Sequence, residues 1–315
     1  MKKTFFSNGK LLLTGEYIVL DGAKALALPT RYGQYLDVAH TTKNTIHWQS
    51  FDADGSIWLD QEIQLSTVFE NKQDDQNSEV NTLVKILHEA WLANPEPLND
   101  IKGLSVTTKL TFPRLWGLGT SSTLINNIAQ WFGIDAFDLL AKSFGGSGYD
   151  IACAQNDTPI LYHLDNGQPI VEPVAAFNPP FADNLYFVYL NRKQSSKQAI
   201  ESYRRRRNSV PPVRAKIDEL TQQILHSKSL AEFSHLLQEH ENIMSEILGL
   251  PALKVLAFPD YPGTIKSLGA WGGDFILATA NENPEAYFKA KGFEIIIPYK
   301  EMILDRGIDF SEGDF

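Results

Sequence analysis

Ten residues, Pro113-Arg-Leu-Trp-Gly117-Leu-Gly119-Thr120-Ser121-Ser122, constrain this chain more than any other stretch. An alternating segment, Gly103 to Phe112 (GLSVTTKLTF), reads as a strand before them, and Thr123 to Phe132 reads as a helix after them. A strand that feeds a glycine-rich turn and then a helix places backbone N–H groups where a ligand can approach closely. The helix start adds unpaired donors and a partial positive charge, which suit phosphate. Thr120, Ser121 and Ser122 supply hydroxyls for phosphate oxygens or Mg²⁺. The stretch is not a Walker A loop, because no Gly-Lys-Ser/Thr follows, and it lacks GxGxxG. On these residues alone, a phosphate site and an ordinary capped turn are equally good readings.

Two further stretches share this character. Gly145-Gly-Ser147-Gly148-Tyr-Asp150 is a turn ending in a carboxylate, and Lys266-Ser-Leu-Gly269-Ala-Trp271-Gly272-Gly273-Asp274 is a glycine-rich loop before an apolar strand. Sharp turns explain either one separately. A close approach of backbone to ligand explains both.

The rest of the chain narrows the class. Its 315 residues suggest two domains or one large one. With 28 basic and 38 acidic residues, the formal net charge is 28 − 38 = −10, which disfavours a general nucleic-acid binder. Acidic substrates would need a local basic pocket. The single cysteine, Cys153, excludes an internal disulfide and a cysteine-built metal site, and it reads as a small buried residue. In MKKTFFSNGKLLL the apolar run is interrupted at Ser7 to Lys10, so no signal peptide is expected. No apolar run approaches a membrane span of about 18 residues, and a cytoplasmic protein is the expectation.

Lys10 to Leu20 reads as a strand ending at Asp21-Gly22, followed by short strands at Tyr35–Ala39 and Thr45–Trp48. A helix is expected from Ser78, with Val80, Leu83, Val84, Leu87, Ala90 and Trp91 on one face. Another is expected from Asp135 to Phe144. The proline- and alanine-rich stretch 169–183 marks a domain boundary. Beyond it come a strand at Leu185–Leu190, helices between Ser195 and Leu248, and strands within Ser267–Ala278 and Phe293–Pro298. Strands and helices mix without regular alternation, which predicts an α+β architecture.

Taken in order, the glycine-rich segments resemble the GHMP kinases. The first family motif is matched by Gly9-Lys10-Leu-Leu-Leu-Thr-Gly15-Glu16-Tyr17. The second, Pro-x-x-x-Gly-Leu-Gly-Ser-Ser, is matched at 113–121 with Thr120 for the first serine, and the third, Gly-Ala-Gly-Gly-Gly, at 269–273 with Trp271 for a glycine. Each motif alone is weak, but the ordered three are specific. Gly146 to Ala152, Asp274, and Asn191-Arg-Lys193-Gln-Ser195-Ser196-Lys197 look most like the phosphomevalonate kinase branch. Gly148 to Ala152 (GYDIA) also resembles a distinct bacterial group.

The resemblance implies two α+β domains, a ribosomal-protein-like one over 1–177 and a ferredoxin-like one over 178–315. It implies ATP-dependent phosphoryl transfer to a small acidic metabolite, most simply phosphomevalonate. Mevalonate or another hydroxyl acceptor is the alternative, and a non-catalytic nucleotide- or metabolite-binding relative is the second. Pro113, Gly117, Leu118, Gly119, Thr120, Ser121 and Ser122 would cradle ATP. Asp150 would accept or orient the acceptor proton, with Lys10 as its counter-charge and as a partner of the transferred group. Glu16, Ser147, Gly148, Lys193, Ser195, Ser196, Gly269, Gly272 and Gly273 would face the acceptor. Thr120 and Asp138 are the candidate Mg²⁺ ligands. The indole of Trp271 is large for a loop that hugs phosphate. Partners are limited to these small molecules, with no nucleic acid or membrane, in a monomer or homodimer. Arg204 to Arg207 read as a solvated face, and the seven histidines carry no metal spacing.

Overall fold

The computed structural model describes residues 2–73, 78–174, 177–191, 203–204, 211–269, 271 and 273–306. The chain is α+β, as expected, and it divides into two compact units. Unit 1 holds residues 1–9, 32–114 and 118–155. Unit 2 holds 10–31, 115–117 and 156–315. Two strands, β1 (Lys2–Leu12) and β2 (Ala25–His40), begin in one unit and end in the other.

In unit 1, β3 (Thr45–Phe51), β4 (Ile57–Gln64) and β5 (Leu104–Leu110) join the second half of β2 in the order β4-β3-β5-β2. The β3–β5 pair is parallel, while β2–β5 and β3–β4 are antiparallel. Strict alternation explains the layer. Ile46, Trp48 and Ser50 of β3 point inward, and so do Leu104, Val106, Thr108 and Leu110 of β5. After the short α1 (Leu65–Phe69) come α2 (Ser78–Ala93), α3 (Thr120–Phe132), α4 (Ala136–Ser143) and α5 (Tyr149–Gln155). Leu83, Val84, Leu87 and Ala90 of α2 are buried in the same cluster as Trp48, Val106, Ile125 and Ile128. Val80 and Trp91 pack at its margin, completing the predicted face.

In unit 2, Ala25–Ala27 of β2 pair with β6 (Ile160–Asp165), which pairs with β7 (Gln168–Pro173). A second sheet contains β8 (Leu185–Tyr189), β9 (Ile265–Ser267), β10 (Phe275–Thr279) and β11 (Ile296–Pro298) in the order β11-β8-β10-β9, all antiparallel. The helices α6 (Pro211–His226), α7 (Leu230–Leu248) and α8 (Leu253–Ala257) lie in sequence between β8 and β9. The helix α9 (Glu285–Ala290) lies between β10 and β11, and α10 (Tyr299–Met302) follows. This is the ferredoxin-like order.

Two local expectations are corrected. Lys10 to Leu20 is not one strand: β1 ends at Leu12, and Ile18–Asp21 form a 3₁₀ turn. The left-handed backbone at Gly15 and Tyr17 breaks the extension. The helix expected from Thr123 begins three residues earlier, because Gly119 already caps it with φ 97°. Thr120 to Ser122 therefore form the first turn of α3 rather than a loop.

Candidate functional site

The first turn of α3 leaves three backbone donors without intrahelical partners. The first intrahelical bond runs from the Thr123 amide to the Gly119 carbonyl at 3.0 Å, so the amides of Thr120, Ser121 and Ser122 have no partner within the helix. Two hydroxyls turn inward: Ser122 donates to the Gly119 carbonyl at 2.9 Å, and Thr123 reaches the side-chain oxygen of Gln34 at 3.0 Å. Thr120 is half-buried and Ser121 exposed. The three amides together with the Thr120 and Ser121 hydroxyls could hold a phosphate chain, and the Thr120 hydroxyl could share a hard cation with phosphate oxygens, whereas the Ser122 hydroxyl is already used within the turn.

Elsewhere in unit 1, Asp150 lies half-buried in the first turn of α5, where its Oδ1 accepts from the Ile151 amide at 3.1 Å. Ser147 and Gly148 immediately precede that helix. Asp138 is exposed in the first turn of α4, whose N-cap is Asp135. Among the described residues, no group of three or more His, Cys, Asp or Glu side chains forms a metal cluster.

In unit 2, three separate motifs meet on Gly117. Lys10, from the end of β1, donates through Nζ to the Gly117 carbonyl at 3.0 Å. Asp274, from the third glycine-rich loop, packs its carboxylate onto the same residue. A Cβ on Gly117 would lie 1.9 Å from Asp274 Oδ2, and Gly117 itself has φ 68°. Only glycine meets both conditions. The segment 115–117 is anchored below. The Tyr189 hydroxyl donates to the Leu115 carbonyl at 3.0 Å, and the Trp116 ring meets Tyr189 and Phe275. Burial pushes the Tyr189 phenol upward, and the charge of Asp274 adds to it.

Glu16 sits in a buried ionic group. Its carboxylate meets Lys266 Nζ in a very short contact. Lys266 Nζ also lies 3.3 Å from Glu241 Oε2 and 2.5 Å from the Ser267 carbonyl. His240 Nε2 accepts from the Gly15 amide at 3.1 Å and lies 3.6 Å from Glu16 Oε2. Burial pushes Glu16 up to about 7, with Lys266 restraining the rise. Burial by itself would depress Lys266, but Glu16 and Glu241 outweigh it and the net shift is upward. Burial, then the charge of Lys266, holds His240 far below its usual range.

Trp271 occupies left-handed backbone, φ 53°, the region a glycine there would take freely. The residue is 5% exposed and belongs to a cluster with Tyr17, Tyr203, Ile217 and Met244. The indole is thus turned into the core of unit 2. Gly269 and Gly273 flank it, while Lys193, Ser195, Ser196, Gly272 and Arg205 to Arg207 lie outside the described residues.

Sequence reasoning missed Lys266, Glu241 and His240 as a group. A lysine in a three-residue strand and a Glu next to a His on a helix carry no local signal. In the sequence Asp274 is only the residue after a glycine pair, and nothing local signals its contact with Gly117, 157 positions away.

No family model matches the chain, and no curated protein does. Many solved structures are similar to it. A mevalonate kinase aligns over 96% of this chain and 100% of its own, with TM-score 0.70 and 14% identity. The mevalonate kinase of Methanococcus jannaschii covers 92% and 94%, with TM-score 0.68 and 14% identity. The Streptococcus pneumoniae phosphomevalonate kinase, solved with phosphomevalonate and AMPPNP, covers 93% and 98%, with TM-score 0.68 and 16% identity. Such identities establish a common fold.

Proposed function

Because the chain has the fold of the GHMP kinases, we propose that it is an ATP-dependent small-molecule kinase that transfers a phosphoryl group to an acidic metabolite, phosphomevalonate first among them. The observation that carries this reading is the meeting of Lys10, Gly117 and Asp274. The first, second and third motifs are far apart in sequence, yet they join on one glycine two residues before the cap of α3. A structural turn needs no such convergence.

The chemistry asked of the protein is positioning and charge neutralisation. The amides of Thr120 to Ser122 and the α3 dipole hold negative charge at the phosphate chain, with Ser121 and Thr120 hydroxyls beside them. Lys10, fixed by the Gly117 carbonyl, supplies a cation for the transferred group. Asp150 orients the acceptor oxygen and, for a hydroxyl acceptor, takes its proton. A phosphomonoester oxygen is largely deprotonated near neutral pH and needs no base. Thr120 would hold Mg²⁺ together with phosphate oxygens, and the ion when bound would neutralise charge between the phosphates.

A hydroxyl acceptor such as mevalonate is the second reading, favoured by the similarity to mevalonate kinases. Purified protein with ATP and Mg²⁺, offered each acceptor in turn, separates the two by ADP release. Turnover with phosphomevalonate alone supports the first and turnover with mevalonate alone the second. Nucleotide binding without turnover on any acceptor indicates a non-catalytic relative.

A further inference from the structure

Glu16, Lys266, His240 and Glu241 are buried together in unit 2, at 1%, 0%, 0% and 0% exposure. They come from the first motif, β9 and α7. Glu16 Oε2 and His240 Nδ1 have no hydrogen-bond partner among the described residues. Burying a cation and two carboxylates costs desolvation that their attraction roughly offsets, so apolar side chains of the same volume would serve stability as well. What apolar side chains lack is direction, because ionic hydrogen bonds fix the position of one segment against another.

The directions are specific. Lys266 lies between Glu16 of the first motif and Glu241 of α7. Glu241 also accepts from the Ser267 amide at 3.2 Å and from the Ser267 hydroxyl at 2.5 Å. Both ends of the next loop are therefore set. Its start follows Ser267, and its last residue, Asp274, rests on Gly117. Midway, Trp271 is held in left-handed backbone in the same cluster as Tyr17, whose own φ is 61°. The other described non-glycine residues with positive φ are Asn or Asp, which tolerate it. Only these two are aromatic, and one lies in each of the two motifs.

We propose that Lys266, clamped between Glu16 and Glu241, is a positioning residue that fixes Leu268, Gly269, Trp271, Gly273 and Asp274 against the first motif and so sets Gly269 and Gly273, the two glycines that the kinase reading assigns to the acceptor. The proposal rests on the kinase reading given above. Glu16 belongs to this clamp rather than to the acceptor, and Lys266 touches no reacting atom.

The test uses the full chain, with Lys266→Met as the main variant and Glu241→Gln as the milder one. Two readouts are taken: amide exchange along unit 2, and kcat and KM for the acceptor that turns over. The proposal expects exchange at Leu268, Gly269, Trp271 and Gly273 to accelerate about tenfold or more while β8 and β10 keep their protection. It expects acceptor KM to rise about tenfold with kcat and nucleotide affinity within about twofold. Unchanged exchange and KM overturn it, and so does a uniform acceleration across unit 2, which would mark a purely structural group. If Lys266→Met does not fold, Glu241→Gln is read by the same two criteria. If the unaltered protein turns over no acceptor, the kinase reading fails, while the exchange pattern still decides whether the clamp holds the loop.

Discussion

Lys10 donates to the carbonyl of Gly117 across 107 positions of sequence, at 3.0 Å. That bond places a cation at the turn that leads into α3. Substituting Lys10 by Met keeps most of the apolar stem and removes the charge and the donor. Turnover is expected to fall about a hundredfold or more, within the range for losing one preorganised electrostatic contact. Nucleotide affinity, carried mainly by the α3 amides, is expected to stay within a few-fold. Single-turnover kinetics with a parallel nucleotide titration checks both.

Gly117 has no room for a methyl group. A Cβ there would sit 1.9 Å from the Asp274 carboxylate, on backbone with φ 68°. Gly117→Ala is expected to destabilise unit 2 by about 1–3 kcal/mol through the strained backbone and the displaced carboxylate. Adding Asp274→Ala should recover the steric part and leave the backbone part. Denaturant unfolding of the single and double variants measures the difference.

The pH dependence of stability follows from Glu16. Its folded value, raised by burial to about 7, lies above the ordinary 4.5. Between those values the folded chain keeps a proton that the unfolded chain has lost, so this contribution is full below about 4.5 and disappears as pH rises through about 7. His240 acts in the opposite sense. Its folded value is depressed by burial and by Lys266, so its contribution is lost as pH falls below the ordinary 6.5. Comparison with Glu16→Gln isolates the first term. The stability of the unaltered protein minus that of Glu16→Gln should decline from pH 5 to pH 8, measured by urea unfolding at each pH. A flat difference would show that Glu16 titrates normally.

Much of this arrangement was legible in the sequence. The alternation in β3 and β5 and the apolar face of α2 follow from periodicity, because each buries one side against a single core. The strand–turn–helix around Gly117 followed from its glycines. The path of the chain through Lys10 to Leu20 did not. Its apolar residues suggested one strand, but Ile18 is buried in a helical-turn conformation beside Tyr17, and periodicity cannot distinguish a short buried turn from a strand. The environment of Lys266 was equally silent, since its partners lie 250 and 25 positions away and only the tertiary fold brings them together. Trp271 in a glycine motif read as an obstruction. Its ring instead packs inward while the backbone keeps a glycine-like conformation.

The most direct test of the kinase reading follows the labelled γ-phosphoryl group of ATP into the acceptor, for the unaltered chain and for Asp150→Asn. The unaltered protein is expected to transfer label to phosphomevalonate or mevalonate. With a hydroxyl acceptor, Asp150→Asn should lose most of that transfer, about a hundredfold or more, with ATP affinity nearly unchanged. Label that never leaves ATP in the unaltered protein, across both acceptors, would contradict the account.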